Sequence, residues 1–92
     1  MMAQEGESPA AYNGLALCEI GSGNYDTALS YITQGLALES ESGKQELRFN
    51  EIVVYEKKLD FATALVKAEA YCTLYPADQK GKKEWQFLES RA

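Results

Sequence analysis

Histidine is absent from the 92 residues, which takes away both the commonest general base and the commonest metal ligand. Cys–His and Ser–His nucleophile pairs are therefore impossible within this chain. The two cysteines, Cys18 and Cys72, lie far apart in no metal-binding or redox spacing. Both are expected to be buried free thiols, with a disulfide as the unsupported alternative. Gly21-Ser22-Gly23 is a Gly-x-Gly without the lysine and hydroxyl residue of a phosphate loop, and it reads as a turn. Glu5 and Glu7, like Glu39 and Glu41, fall in a polar leader or near helix ends, where charge is ordinarily solvated. Glu51 is the one charge placed to face an interior, and its expected partners are Arg48 and Tyr55 on the same helix. No catalytic residue, cofactor or metal is expected, and the chemistry left to such a chain is recognition.

Charge narrows what is recognised. Nine Lys and Arg stand against 14 Asp and Glu, a net charge of −5, which opposes sequence-independent binding to phosphate backbones or anionic lipid. Lys80, Lys82 and Lys83 read as solubilising residues of an acidic chain. No run approaches the roughly 20 apolar residues of a membrane span, so no insertion is expected and the chain reads as soluble. A protein or peptide partner fits best. With 46% hydrophobic and 25% charged residues, one domain able to bury a core is expected over residues 8–92, behind the leader at residues 1–7.

The elements that present such a surface follow from internal repetition. Gly23-Asn24-Tyr25-Asp26-Thr27-Ala28-Leu29 returns as Leu59-Asp60-Phe61-Ala62-Thr63-Ala64-Leu65, 36 residues later. A period of this size is expected of a helical hairpin that buries its apolar face by stacking on a neighbour. Ser8-Pro9 opens a first helix that ends at Gly21-Ser22-Gly23, and Asn24 caps a second running to about Glu39. A third covers about Lys44 to Lys57, with repeat context overruling the strand propensity of Ile52-Val53-Val54-Tyr55. Asp60 caps a fourth that stops before Pro76, and Asp78 starts a last helix from Gln79 to about Arg91.

These residues resemble the tetratricopeptide repeat, whose pattern is Trp-x2-Leu-Gly-x2-Tyr, then Ala-x3-Phe, then Pro. In the first repeat, residues 9–42, the corresponding positions are Tyr12, Leu15, Ala16 and Glu19, then Ala28, Ile32 and Gly35, with Ser40 in the proline slot. In the second, residues 45–78, they are Arg48, Glu51, Ile52 and Tyr55, then Ala64, Ala68, Tyr71 and Pro76. Arg48 and Glu51 depart from the bulky apolar groups usual in the family. The resemblance implies an all-α fold, a solenoid (α-α superhelix) of two repeats plus a C-terminal capping helix over residues 79–91. It also implies a protein-interaction scaffold whose ligand lies in a concave groove formed by the first helix of each repeat.

Matching the repeats and stepping along helical spacing puts Asn13, Leu17 and Ile20 of the first helix on that groove. Phe49, Asn50, Val53 and Lys57 of the third helix and Phe87 of the last join them, flanked by Ala10, Gly14, Glu46, Lys80, Lys83 and Glu84. Leu17, Val53 and Phe87 are expected to align, with Ile20 and Phe49 extending the apolar strip and the two asparagines free to bond a bound backbone. Some family members clamp a terminal carboxylate with Lys, Asn and Arg where this chain has Asn13, Leu17 and Glu84, so that capture is not expected. The reading instead expects an apolar or amphipathic segment whose basic residues meet an acidic rim. The alternatives are a homodimer closed through the same groove and a fragment of a longer array, since two repeats are fewer than normally stack stably.

Overall fold

Five α-helices form in the computed structural model, which describes residues 8–91: α1 (Pro9–Ser22), α2 (Tyr25–Leu36), α3 (Lys44–Lys57), α4 (Phe61–Leu74) and α5 (Gln79–Glu89). The expected leader, residues 1–7, lies outside the described residues. No strand occurs among those described, and Ile52–Tyr55 is helical. The chain is all-α.

Local chemistry sets the helix ends. Ser8 Oγ accepts the Ala11 amide at 3.1 Å, and Pro9 fills the first turn, where no amide donor is needed. Asp60 accepts from the Thr63 amide and Asp78 from the Lys80 amide in the same manner. Asn24 departs from expectation: it stands at the N-cap of α2, but its side chain makes no cap bond. Its amide donates instead to Glu19 Oε1 at 2.9 Å, tying the turn back to α1. Two helices end early. The Ala37 and Leu38 amides bond back to Gln34 and Gly35, tightening the last turn and ending α2 at Leu36 rather than near Glu39. Ser90 Oγ donates to the Phe87 carbonyl at 2.7 Å, and α5 ends at Glu89 rather than near Arg91.

The turns α1–α2 and α3–α4 share one geometry. Gly23 takes a left-handed φ of 82°, while the Asn24 and Gly23 amides cap the Glu19 and Ile20 carbonyls. At the matching place Leu59 has φ 63°, and the Asp60 and Leu59 amides cap Tyr55 and Glu56.

Each helix packs on the next, and α1 also packs on α3. The result is elongated, 46 × 29 × 16 Å. Ala16, Ala28, Ile32, Leu47 and Val54 form one fully buried cluster, and Ile52, Ala64, Ala68, Tyr71 and Leu88 form a second. Helix α3 is the shared wall, giving Leu47 and Val54 to the first cluster and Ile52 to the second. Ala28 and Ala64 are 0% exposed, one in each cluster, and a small side chain at such a position lets paired helices approach closely.

Candidate interaction surface

The packing of α1 against α3 sets two groove positions side by side. Asn50 Nδ2 donates to Asn13 Oδ1 at 2.6 Å, so one donor and one acceptor expected to be free for a ligand are already used. Beside this pair an open recess of about 370 Å³ is lined by Ala10, Asn13, Ser42, Gly43 and Glu46. Its floor admits no side chain at Gly43, where φ is +92° and a Cβ would stand 3.0 Å from the Ala10 nitrogen.

Leu17 is 48% exposed and Phe87 42%, whereas Val53 is half-buried. Burying what remains exposed of such side chains stabilises a complex by roughly 1 kcal/mol each. Two other expected members of the strip do different work. Ile20 is half-buried against the first core cluster. Phe49 is half-buried against the second, edge-on to Tyr71 at 5.7 Å, and roofed by Lys80, whose Nζ lies 4.5 Å from the ring centroid. Ile20 and Phe49 are thus set against the two cores that α3 separates, and of the expected apolar strip Leu17, Val53 and Phe87 are the members not packed on either core cluster. Lys57 is exposed. On α5 the Arg91 guanidinium stacks over Phe87 at 4.7 Å.

Two further expectations need correction. Glu51 pairs with neither Arg48 nor Tyr55; its Oε2 lies 3.6 Å from Lys67 Nζ on α4. Arg48 likewise reaches α4 and donates to Tyr75 Oη at 2.7 Å. Both departures from the apolar pattern thus serve as polar ties between α3 and α4. Cys72 is buried and free, its thiol pushed up by desolvation, but Cys18 is exposed on α1 rather than buried.

Glu51 does turn inward, its side chain 17% exposed, and a second acid that the sequence did not single out enters an interior as well. Glu56 on α3 has one carboxyl oxygen fully buried with no hydrogen-bond partner. Burial, then the Glu84 carboxyl facing it from α5, pushes its pKa up to about 8, against a smaller opposing pull from Lys57. Glu56 is therefore mostly protonated at neutral pH. The signal was available, since at the 36-residue offset Glu56 occupies the slot of Ile20, an apolar contact in the first hairpin. Lys44 is also buried, 3.5 Å from Glu41. Tyr71 accepts from Gln45 at 3.1 Å and donates to Asp78, and burial followed by that Asp78 contact pushes its pKa to about 12.

Among the described residues no group of three or more His, Cys, Asp or Glu could hold a metal ion, and no helix is long and apolar enough to cross a membrane. Compared with protein families, curated proteins and solved structures, the chain matches none.

Proposed function

We propose that the chain is a non-catalytic protein-interaction module, a solenoid of two tetratricopeptide-like hairpins with α5 as its cap, binding an apolar or amphipathic peptide segment across α1, α3 and α5. The observation that supports it best is the placement of Leu17 and Phe87. Both are large apolar side chains left exposed, on helices flanking the half-buried Val53 of α3. The order of packing agrees with the reading, because each hairpin stacks on the next and first helix packs on first helix. A chain without histidine and with no nucleophile–base pair to propose is read as having no catalysis of its own.

The test is mutational. Leu17→Asp with Val53→Asp abolishes partner capture while leaving helicity by circular dichroism unchanged; capture at the wild-type level in a folded double variant rejects the groove. A second reading, self-association, is favoured by α1 itself. Its exposed residues Ala10, Gly14, Leu15, Leu17, Cys18, Gly21 and Ser22 include no charge, so a second copy meets no like-charge repulsion there.

A further inference from the structure

The net charge of α5 together with Arg91 has the opposite sign to the molecule. Elsewhere the cations are committed: Lys44 pairs with Glu41, Lys58 with Asp26, Lys67 with Glu51, and Arg48 bonds Tyr75. Lys57, Lys80, Lys82, Lys83 and Arg91 have no carboxylate within ion-pair distance among the described residues. Four of these five lie on α5 or just past its end, although the chain as a whole is at −5.

Contacts fix where they point. Lys80 covers Phe49 of α3 and Arg91 covers Phe87, so the stripe 80, 87, 91 runs along the side of α5 that faces α3, with Lys83 at its outer edge. The single acid on that side, Glu84, is turned to Glu56. On α3, Val53 and Lys57 lie opposite, and the acid of that face, Glu46, stands at the other end of the helix beside the recess lined by Ala10 and Asn13. An apolar strip is thereby edged with cations at its α5 end, the reverse of the acidic rim expected from composition.

Resting on the groove reading above, we propose that its occupant is an acidic amphipathic peptide segment. Its apolar side covers Leu17, Val53 and Phe87, and its carboxylates meet Lys57, Lys80 and Lys83. Charge complementarity selects this partner, since a basic segment would meet uncompensated like charge at α5. A nucleic acid is disfavoured because the molecule as a whole stands at −5, which repels an extended polyanion that reaches beyond the patch.

The test selects binders from a random peptide display library against the full chain, then measures the selected peptides by fluorescence anisotropy. The expected peptides set Asp or Glu beside two or more apolar residues. Their Kd weakens by about tenfold in the double variant Lys57→Glu, Lys83→Glu, as expected for two reversed rim charges. Lys82→Glu, the same charge change on the side of α5 near Cys72, leaves Kd within about twofold, as a charge remote from the site should. Peptides that are basic or neutral, or that need Leu17 and Val53 but ignore the Lys57 and Lys83 reversal, overturn the acidic occupant and leave the groove standing. Selecting no peptide, or only peptides indifferent to Leu17→Asp with Val53→Asp, overturns the groove reading and this inference together. Competition by a single-stranded DNA oligonucleotide at equal charge concentration replaces the peptide partner with a polyanion site.

Discussion

Where the first hairpin meets α3, the small residue is Gly35 on α2, and a Cβ there would come 2.5 Å from Leu47 Cδ1 and 3.0 Å from Tyr12 Cβ. Where the second hairpin meets α5, the matching position is Tyr71, and the small residue has moved across the junction to Gly81, whose Cβ would lie 2.5 Å from the Tyr71 ring. Bulk and void are thus exchanged between the partners at the two junctions. Other matched positions differ in kind. Ile20 gives way to Glu56 and Gly23 to the left-handed Leu59. Helices α3 and α4 are joined by Arg48–Tyr75 and Glu51–Lys67, where α1 and α2 meet through tyrosines, Tyr12 and Tyr31 at 6.2 Å. The second hairpin trades apolar burial for polar ties and local strain, so it is the one that substitution improves most easily.

The largest effect is expected from restoring a methyl group to each void. Gly81→Ala drives Cβ into an aromatic ring held by Asp78 and Gln45, and destabilises by about 2 kcal/mol even after the gain in helix propensity. Gly35→Ala meets the tip of Leu47, which rotates, and Tyr12 Cβ at 3.0 Å, which yields by a few tenths of an ångström, and it costs about 1 kcal/mol. Chemical denaturation of the two variants measures the ratio, and equal losses would break the contrast between the junctions.

Next comes Glu56→Ile, which gives the second hairpin the residue of the first. In the folded chain Glu56 keeps its proton up to about pH 8, while in the unfolded chain it loses it near the ordinary 4.5. The folded state therefore holds the extra proton between those values, and this contribution, complete below pH 4.5, is lost as pH rises toward 8. After discounting for solvent screening, the isoleucine variant is more stable by about 1–2 kcal/mol at pH 8. Its advantage shrinks toward pH 4.5. Thermal melts across that range read the slope, and a constant difference at every pH would show that Glu56 is not the buried acid.

The smallest effect sharpens the turn comparison. Leu59 is 74% exposed at φ 63°, so Leu59→Gly sacrifices little packing and relieves the left-handed strain, stabilising by about 0.5–1 kcal/mol. Gly23→Leu installs the strain in the first turn and is expected to cost a similar amount. A Leu59→Gly variant less stable than wild type would mean that the leucine makes contacts its exposure does not suggest.

Most of the helical framework was legible in sequence because it rests on local chemistry. Ser8-Pro9, Asp60, Asp78 and Pro76 mark boundaries wherever the rest of the chain goes, and the 36-residue echo of Thr-Ala-Leu orders the hairpins. The candidate surface was legible only in part. Helical spacing places Leu17 and Phe87 on one side, but it does not reveal that Phe49 and Ile20 lean into separate cores, or that Asn13 and Asn50 satisfy each other. Those outcomes depend on contacts across helices, as does the pairing of Glu51 with Lys67 in place of a neighbour on its own helix. Net charge is silent for a related reason, because a total of −5 does not say where the cations stand, and Lys80, Lys82, Lys83 and Arg91 gather on or just past α5.

The measurement that bears most directly on the account is molar mass by light scattering at several concentrations, for the wild type and for Leu17→Asp. The account predicts a monomeric mass that does not change with concentration in either protein, leaving Leu17, Val53 and Phe87 open to a partner. A wild-type mass that rises to a dimer with concentration, and returns to a monomer in Leu17→Asp, would contradict it by showing that a second copy occupies the groove.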